Sequence, residues 1–320
     1  MAVPGGVCQS CPRWEARYDL DTPAPSPPAH TPDRLPATAY LTAGRLAADA
    51  ERLVGLLPPG IDGVVGCARS GLVPAAIVAS HLHLPLWSFS KASGVVWAGG
   101  GGRTGYEREP APTHLAVVDD TIALGREMAR ATAAVRRRWP RVRLTRAVVY
   151  AIPEGAAHAD VVLAEYPGPH YLSWNYANAG HGVLSGWDFD GVLCEDIAPE
   201  DDLGDEHPRY RAAVLNARPR HLPRRGPVPL VVTMRSEAVR AESEAWLKRW
   251  GVRVEKLVMR DFPRPGPAEW VETAARLKAR QYAASGLPLF VESDPPQARL
   301  VAELSNKPVL CPAAGRVFGG

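Results

Sequence analysis

The sequence predicts an α/β protein of two domains, each a sheet of mainly parallel strands flanked by helices. Its 320 residues exceed the usual size of one domain. A hydrophobic content of 46% is sufficient for sizeable cores. Short apolar runs alternate with stretches of helical periodicity, which is the pattern of strand-helix-strand units. Several of these runs end in acidic or glycine-containing turns, where open sheets of this class bind ligands.

The composition points away from membrane, secreted and nucleic-acid-binding proteins. A net charge of +3 predicts no general affinity for nucleic acid, and we interpret residues 136–138, three arginines, as a solvated helix end. The N-terminus lacks a signal-peptide pattern, and no apolar run approaches the ~20 residues that span a bilayer. The five cysteines are scattered, and the pair Cys8 and Cys11 lacks partners at zinc-finger spacing. We therefore expect a cytoplasmic protein without a disulfide framework.

The first part of the chain divides into a tail and one strand-turn-helix unit. Residues 1–36 are rich in proline and small residues, which predicts a flexible tail. Leucines between positions 41 and 57 predict an amphipathic helix. A strand over 61–67 then leads through the turn Ala68-Arg69-Ser70-Gly71 into a helix over 73–82. The backbone N–H groups of this turn can bind an anion.

An acid pair ends the next buried strand. Residues 115–118 predict the strand, Asp119 and Asp120 end it, and a loop with Gly125 leads to a helix over 126–138. The two carboxylates can accept hydrogen bonds from ribose hydroxyls or hold a divalent metal. Backbone N–H groups of the loop can cradle a phosphate at the positive end of the helix. This chemistry suits a sugar phosphate.

An apolar strand, two acids and a Thr- and Gly-containing loop resemble the fingerprint of the type I phosphoribosyltransferases. The resemblance implies the fold of that family, transfer of a phosphoribosyl group from phosphoribosyl pyrophosphate (PRPP) to a nucleobase-like molecule, and Mg²⁺ on the pyrophosphate. The turn after the 61–67 strand looks like the family's pyrophosphate loop, where a planar guanidinium suits phosphate oxygens. The PRPP-binding residues so implied are Arg69, Ser70, Gly71, Asp119, Asp120, Thr121, Ile122, Ala123, Leu124 and Gly125.

The phosphate loop departs from the family in two ways. The family usually has Thr-Thr-Gly where this chain has Ala123-Leu124-Gly125, so hydroxyl donors to a 5-phosphate are missing. Glu127 also adds a negative charge near the proposed phosphate. These departures favour an alternative, in which this domain is a PRPP or nucleotide sensor without transferase activity.

A long glycine-rich connection over residues 91–110 has two interpretations. In the phosphoribosyltransferases a loop in this place closes over PRPP and excludes water, and Lys91, Arg103 and Arg108 are then the candidates for a basic contact with pyrophosphate. A loop without a role fits the sequence equally well.

The segment 166–176 is rich in aromatic residues and also has two interpretations. Resemblance to the phosphoribosyltransferases, which bind their base under a hood, implies that Trp174 stacks on a planar base and that Asn175 reads its edge. Packing between the two domains explains the aromatic residues equally well.

A second acidic motif, Asp188-Phe189-Asp190-Gly191, follows a strand over 183–187. Side chains alternate along a strand, so the two carboxylates point the same way, and Gly191 permits a sharp turn. One carboxylate can attack phosphorus while the other acts as general acid and base, with Mg²⁺ offsetting the phosphate charge. The motif resembles the signature of the haloacid dehalogenase (HAD) superfamily.

The later HAD motifs follow in order. Residues 230–235 resemble the second motif, a strand ending in Thr233, Lys278 stands in a helical run as the third, and residues 289–294 resemble the fourth. The resemblance implies a HAD-like Rossmannoid fold with a minimal cap. It also implies the catalytic residues Asp188, Asp190, Thr233 and Lys278, and the metal ligands Asp188, Asp190, Asp294 and Glu292.

The insert between the first two HAD motifs is short and acidic. We interpret it as a solvated loop, with a role in repelling anions or binding metal as the alternative. An insert of this size is too small for a large cap, so the site is expected to admit a large substrate or to use the neighbouring domain as its lid.

Together these patterns predict a tail at 1–36, a phosphoribosyltransferase-like domain at 37–182 and a HAD-like hydrolase domain at 183–320. We expect a bifunctional enzyme that makes a nucleotide from PRPP and a base and also hydrolyses a phosphate monoester. The alternative is a phosphatase controlled by an inactive PRPP- or nucleotide-binding domain. The phosphoribosyltransferase resemblance further implies a homodimer.

Overall fold

A computed structural model describes residues 30–34, 39–99, 105–168, 170–178, 180 and 182–319. The predictions about Cys8, Cys11, Arg103 and most of the tail at 1–36 lie outside the described residues. No helix of the described part of the chain is long and apolar enough to cross a membrane.

The N-terminal half contains nine described strands and four described helices. The strands are β1 (Asp33–Arg34), β2 (Ala39–Leu41), β3 (Gly63–Cys67), β4 (Leu86–Ser90), β5 (Gly94–Gly99), β6 (His114–Ile122), β7 (Arg143–Ala151), β8 (Val161–Glu165) and β9 (His170–Leu172). The helices are α1 (Ala43–Val54), α2 (Leu72–His81), α3 (Arg126–Arg138) and α4 (Pro153–Ala156).

Seven of these strands form one sheet in the order β1-β8-β7-β6-β3-β4-β5. All neighbouring pairs are parallel except β4 and β5, which form an antiparallel pair. Side chains alternate between the two faces, so Val64 packs in the core on the side of α1 and α2 while Val65 packs on the side of α3. Helices on both faces define a three-layer α/β unit.

The C-terminal half repeats this architecture on a second sheet. Its strands are β10 (Ser185–Trp187), β11 (Leu230–Ser236), β12 (Leu257–Arg260), β13 (Leu289–Val291), β14 (Val309–Cys311) and β15 (Arg316–Phe318), in the order β12-β11-β10-β13-β14-β15. The helices are α5 (Pro208–Asn216), α6 (Arg240–Arg249), α7 (Pro267–Ala284) and α8 (Pro295–Ser305). Only β14 and β15 pair antiparallel within this sheet. The predicted α/β class with two mainly parallel sheets is confirmed.

The aromatic segment joins the two halves. β2 and β9 form a separate parallel pair, and Tyr171 and Tyr176 belong to the same buried cluster as Trp187 and Phe189 of the second half. The Tyr176 ring stacks on Trp187 with 5.7 Å between centroids and an interplanar angle of 11°. For these two tyrosines the structure therefore shows packing between the halves, one of the two interpretations that the sequence left open.

Three local predictions differ from the structure. Residues 33–34 of the predicted tail form β1 and pair with β8, because Asp33 bonds to Arg52 of α1 at 2.6 Å. Part of the long connection after β4 is the strand β5. The strand before the acid pair continues through Asp119 and Asp120 to Ile122, because β7 offers a pairing partner over its full length.

Candidate functional site

The first candidate site lies where β3 and β6 end. The two strands are parallel neighbours, with Gly66 opposite Val118, so their carboxyl ends meet at one edge of the sheet. Gly71, which begins α2, lies so close to Asp119 that a Cβ at this position would overlap Oδ1 and Cα of that acid. Ser70 Oγ donates to Asp120 Oδ1 at 3.0 Å. The two loops that were predicted to bind PRPP are thus in direct contact.

The acid pair is buried and lacks a cationic partner among the described residues. Asp119 is 8% exposed and Asp120 is 3% exposed. Besides Ser70, the donors to the pair are Trp174 Nε1 to Asp120 Oδ2 and the Asp120 N–H to Asp119 Oδ1, both at 3.0 Å. Burial raises the pKa of Asp119 to about 9, and the neighbouring charge of Asp120 is the second largest cause of this shift. Ligand hydroxyls or a cation would satisfy these carboxylates better than neutral donors do.

The predicted phosphate loop is shorter than expected. Thr121 and Ile122 lie in β6, opposite β7, so residues 123–125 alone connect β6 to α3. Gly125 begins α3 with φ of 64°, and the N-terminal N–H groups of α3 can still bind an anion. Leu124 is 63% exposed and places an apolar side chain in this loop. Glu127, expected to oppose phosphate, forms an ion pair with Arg130 at 2.7 Å.

Of the other residues predicted to bind PRPP or the base, most are exposed and only Trp174 contacts the acid pair among those that the structure describes. Arg69, Lys91 and Arg108 are exposed. Trp174 packs against the core on the α1 and α2 side of the first sheet, and its Nε1 donates to Asp120, so its ring is anchored beside the acid pair. Asn175 is exposed, next to that indole.

The second candidate site is a cavity of about 210 Å³ at the carboxyl ends of β10, β11 and β13. All six residues predicted for catalysis or metal binding line this one cavity: Asp188, Asp190, Thr233, Lys278, Glu292 and Asp294. They come from four separate stretches of sequence. The HAD-like motifs therefore converge on one place in the structure.

Lys278 is the centre of a buried ionic cluster. Its Nζ donates to Asp188 Oδ2 at 2.9 Å, to Glu292 Oε2 at 2.5 Å and to Gln297 Oε1 at 2.8 Å. Burial lowers the pKa of Lys278, but Asp188 and Glu292 raise it by more, so the ammonium is retained. Burial and the neighbouring Glu292 raise the pKa of Asp188. Two carboxylates against one ammonium leave an excess of negative charge.

Asp190 has a different partner, which the sequence analysis did not assign. Arg235 Nη2 donates to Asp190 Oδ1 at 2.6 Å, and Arg235 Nε donates to Oδ2 at 2.9 Å. Gly191 has φ of 72°, as expected for the sharp turn after the acids. Arg235 follows Thr233 by two positions, and only the fold shows that it reaches back to the first motif.

The acidic insert is more ordered than a solvated loop. Asp202 bonds to Arg264 Nη1 at 2.6 Å, and Asp205 bonds to the buried Arg260 at 2.5 Å. Both acids line the cavity, as does Trp270, whose ring lies 5.2 Å from the Arg264 guanidinium carbon. The interpretation of a solvated loop is wrong for these two acids, because arginines distant in sequence neutralise them and make them one wall of the cavity.

The donor chemistry of the cavity fits a hard divalent cation. Asp188, Asp190 and Asp294 offer the oxygen ligands that Mg²⁺ prefers, and such an ion would balance the excess negative charge around Lys278. Glu292 is instead held by Lys278 and by the Asp294 N–H at 3.0 Å. Within the described ranges, no group of three or more acids, histidines or cysteines is already arranged to hold a metal.

No protein-family model and no curated protein sequence matches the chain. Solved structures similar to part of it include a purine phosphoribosyltransferase from Pyrococcus horikoshii Ot3, at 19% identity and a TM-score of 0.32, covering 43% of this chain and 95% of that one. The Helicobacter pylori xanthine-guanine-hypoxanthine phosphoribosyltransferase has 15% identity and a TM-score of 0.32, covering 43% of this chain and 92% of that one.

Another similar structure is the orotate phosphoribosyltransferase from Aeropyrum pernix, at 23% identity and a TM-score of 0.30, covering 38% of this chain and 76% of that one. These likenesses extend over less than half of this chain. The functional argument therefore depends on the two sites themselves.

Proposed function

We propose that the chain is a bifunctional enzyme of nucleotide metabolism. Its N-terminal half, over about 37–182, transfers a phosphoribosyl group from PRPP to a nitrogenous base. Its C-terminal half, over about 183–320, hydrolyses a phosphate monoester through a phospho-aspartate. The single observation that carries the hydrolase half of the proposal is the cavity that brings all six HAD-like residues together.

The hydrolase reaction follows from the side chains of that cavity. A carboxylate oxygen of Asp188 attacks phosphorus, and the bond from phosphorus to the leaving oxygen breaks while Asp190 gives that oxygen a proton. Asp190 then takes a proton from water, whose oxygen displaces Asp188 and releases phosphate. Thr233 and the Lys278 ammonium bind the phosphoryl oxygens. Bound Mg²⁺, held by Asp188, Asp190 and Asp294, would supply charge neutralisation for the phosphate.

The proposal for the first half is supported by the contact between its two loops. PRPP carries a ribose with a phosphate on one side and a pyrophosphate on the other, so its site needs two anion-binding turns flanking hydroxyl acceptors. The turn before α2 and the start of α3 provide the turns. Asp119 and Asp120 between them provide acceptors that can also stabilise positive charge developing at the anomeric carbon.

A second function for the first half, a PRPP or nucleotide sensor, is favoured by one observation. Leu124 is largely exposed in the loop where hydroxyl donors would contact a 5-phosphate. In this version the second half is a phosphatase under the control of the first.

The proposal is tested by incubating the protein with PRPP, Mg²⁺ and each of a panel of nucleobases. The release of pyrophosphate and of inorganic phosphate is measured. Pyrophosphate release should require a base and be lost in Asp119→Asn/Asp120→Asn. Phosphate release from the nucleotide product should be lost in Asp188→Asn, by about 10³-fold or more. Each variant serves as the control for the other half.

The outcomes separate the two functions. Phosphate release without base-dependent pyrophosphate release would support the sensor and exclude the transferase. Transferase activity with no hydrolysis of any phosphate monoester would remove the phosphatase half of the proposal.

A further inference from the structure

Asp190 is held by a side chain that the proposed mechanism does not use. The guanidinium of Arg235 contacts both carboxylate oxygens, and the Arg235 side chain is 1% exposed against 25% for Asp190. Such a fork fixes the plane of a carboxylate, which a lysine ammonium does not. We propose that Arg235 is the residue that positions Asp190 for proton transfer, an inference that rests on the proposed phosphatase function.

The two oxygens of Asp190 are not equivalent. Oδ1 accepts from Arg235 Nη2 at 2.6 Å, from Nε at 3.2 Å and from Cys194 Sγ at 3.5 Å. Oδ2 accepts only Arg235 Nε among the described residues, at 2.9 Å. A carboxylate offers about four acceptor sites, so Oδ1 is the anchored atom and Oδ2 has unused capacity. Oδ2 is therefore the oxygen that exchanges a proton with the leaving group and with water.

Arg235 is itself held by side-chain contacts with three residues other than Asp190. Its guanidinium lies 3.9 Å from the centroid of the Phe189 ring. Nη1 donates to Ser243 Oγ of α6 at 3.3 Å, and Nη2 donates to Cys194 Sγ at 3.3 Å. A side chain with this many fixed contacts transmits the geometry of the surrounding core to Asp190.

The same residue also orients a second group of the cavity. The backbone N–H of Arg235 donates to Thr233 Oγ1 at 3.1 Å. Because that lone pair is occupied, the hydroxyl hydrogen of Thr233 is directed to another acceptor, which a phosphoryl oxygen would supply. Substitution of the Arg235 side chain leaves this backbone contact in place, so it separates the effect on Asp190 from any effect on Thr233.

The experiment compares Arg235→Lys with the matched control Arg260→Lys. Arg260 is buried to the same extent, 2% exposed, but bonds to Asp205 and to the carbonyls of Met234 and Phe262. The substrates are phenyl phosphate, whose leaving group needs a proton, and p-nitrophenyl phosphate, whose leaving group departs as an anion. Steady-state kcat and KM are measured for both, with thermal unfolding to confirm a folded protein.

For Arg235→Lys we expect kcat/KM for phenyl phosphate to fall by about tenfold or more and kcat/KM for p-nitrophenyl phosphate to fall by less than about threefold. The quantity compared is kcat/KM because it reports the steps through departure of the leaving group and not the later hydrolysis, in which Asp190 is the base for both substrates. Arg260→Lys should leave the ratio of the two rates as in wild type. In an Asp190→Asn background, Arg235→Lys should lower kcat/KM for phenyl phosphate by less than about twofold further, because the two residues act as one unit.

Equal losses on both substrates, the same change of ratio in Arg260→Lys, or multiplicative losses in the double variant would each overturn the inference. Failure of the proposed function is distinguishable, because wild-type protein would then hydrolyse neither phosphate ester.

Discussion

Two acid pairs lie near the carboxyl ends of parallel strands in this molecule, and they differ in their partners. Both acids of the first pair are buried, whereas the Asp190 side chain of the second pair is 25% exposed. Asp119 and Asp120 accept hydrogen bonds from neutral groups, an indole, a hydroxyl and a backbone N–H. Asp188 and Asp190 instead have an ammonium and a guanidinium beside them. The second pair is therefore stabilised by cations that the fold supplies, whereas the first pair has no cation among the described residues and its raised pKa keeps a proton on Asp119.

Removal of the ammonium beside the second acid pair should have the largest effect on stability. Lys278→Met leaves Asp188 and Glu292 buried together without their shared ammonium. We expect the free energy of unfolding to fall by about 3–5 kcal/mol, as for other buried charges that lose a partner. Chemical denaturation monitored by circular dichroism measures this change.

The matched control for this prediction is Lys256→Met, at an exposed lysine whose Nζ bonds to Gln281 Oε1 at 3.0 Å. It should change stability by less than about 0.5 kcal/mol. If Lys278→Met unfolds with the same free energy as the wild type, Lys278 does not stabilise a buried ionic cluster.

Contact between the two loops of the first site can be broken with one methyl group. Gly71→Ala places a Cβ against Asp119, and we expect a loss of about 1–3 kcal/mol in stability, as for overpacked sites. PRPP binding, measured by titration calorimetry, should weaken with it. Gly266→Ala is the control, since Gly266 also begins a helix with φ of −65° but has nothing within 4 Å of its built Cβ.

The outcome that contradicts this prediction is a pair of variants with equal stability and equal PRPP affinity. The carboxyl ends of β3 and β6 would then not form one shared site.

A further prediction concerns the pH dependence of the first pair, which has no cationic partner among the described residues. The pKa of Asp119 is raised to about 9, so the folded state holds a proton that the unfolded state releases near its ordinary value of 3.8. Its contribution to stability is therefore present at low pH and is lost as pH rises towards about 9. Asp119→Asn is neutral throughout, so its stability relative to wild type should rise by at least about 1 kcal/mol between pH 5 and 8.

The control is Asp160→Asn, because the pKa of Asp160 is shifted in the opposite direction to that of Asp119. Burial raises the pKa of Asp160, but its bonds with Arg146 lower it by more. Its contribution is complete above about pH 4, so the stability difference of this variant from wild type should not change between pH 5 and 8. Thermal unfolding at both pH values checks the pair, and equal pH dependence in the two variants would exclude a protonated Asp119.

Much of the fold could be predicted because it depends on local pattern. The helix at 126–138 was placed at its observed ends, since apolar positions recur at helical spacing and Gly125 marks its start. The end of β6 was misplaced because acids commonly end strands, and only the neighbouring β7 shows that pairing continues to Ile122. The short strand β1 was missed because its stability comes from β8 and Arg52, not from its own residues.

For the sites, the sequence by itself determined the motifs, their order and the chemical types of their side chains. Homodimer formation, cytoplasmic location and Mg²⁺ binding remain predictions from the sequence. Only the tertiary structure decided the partners: Lys278 between Asp188 and Glu292, Arg235 on Asp190, and Trp174 on Asp120. Which groups pair depends on distances across the sheet, and the paired residues are far apart in sequence. The Arg235–Asp190, Trp174–Asp120 and Lys278–Asp188 contacts join residues 45 to 90 positions apart.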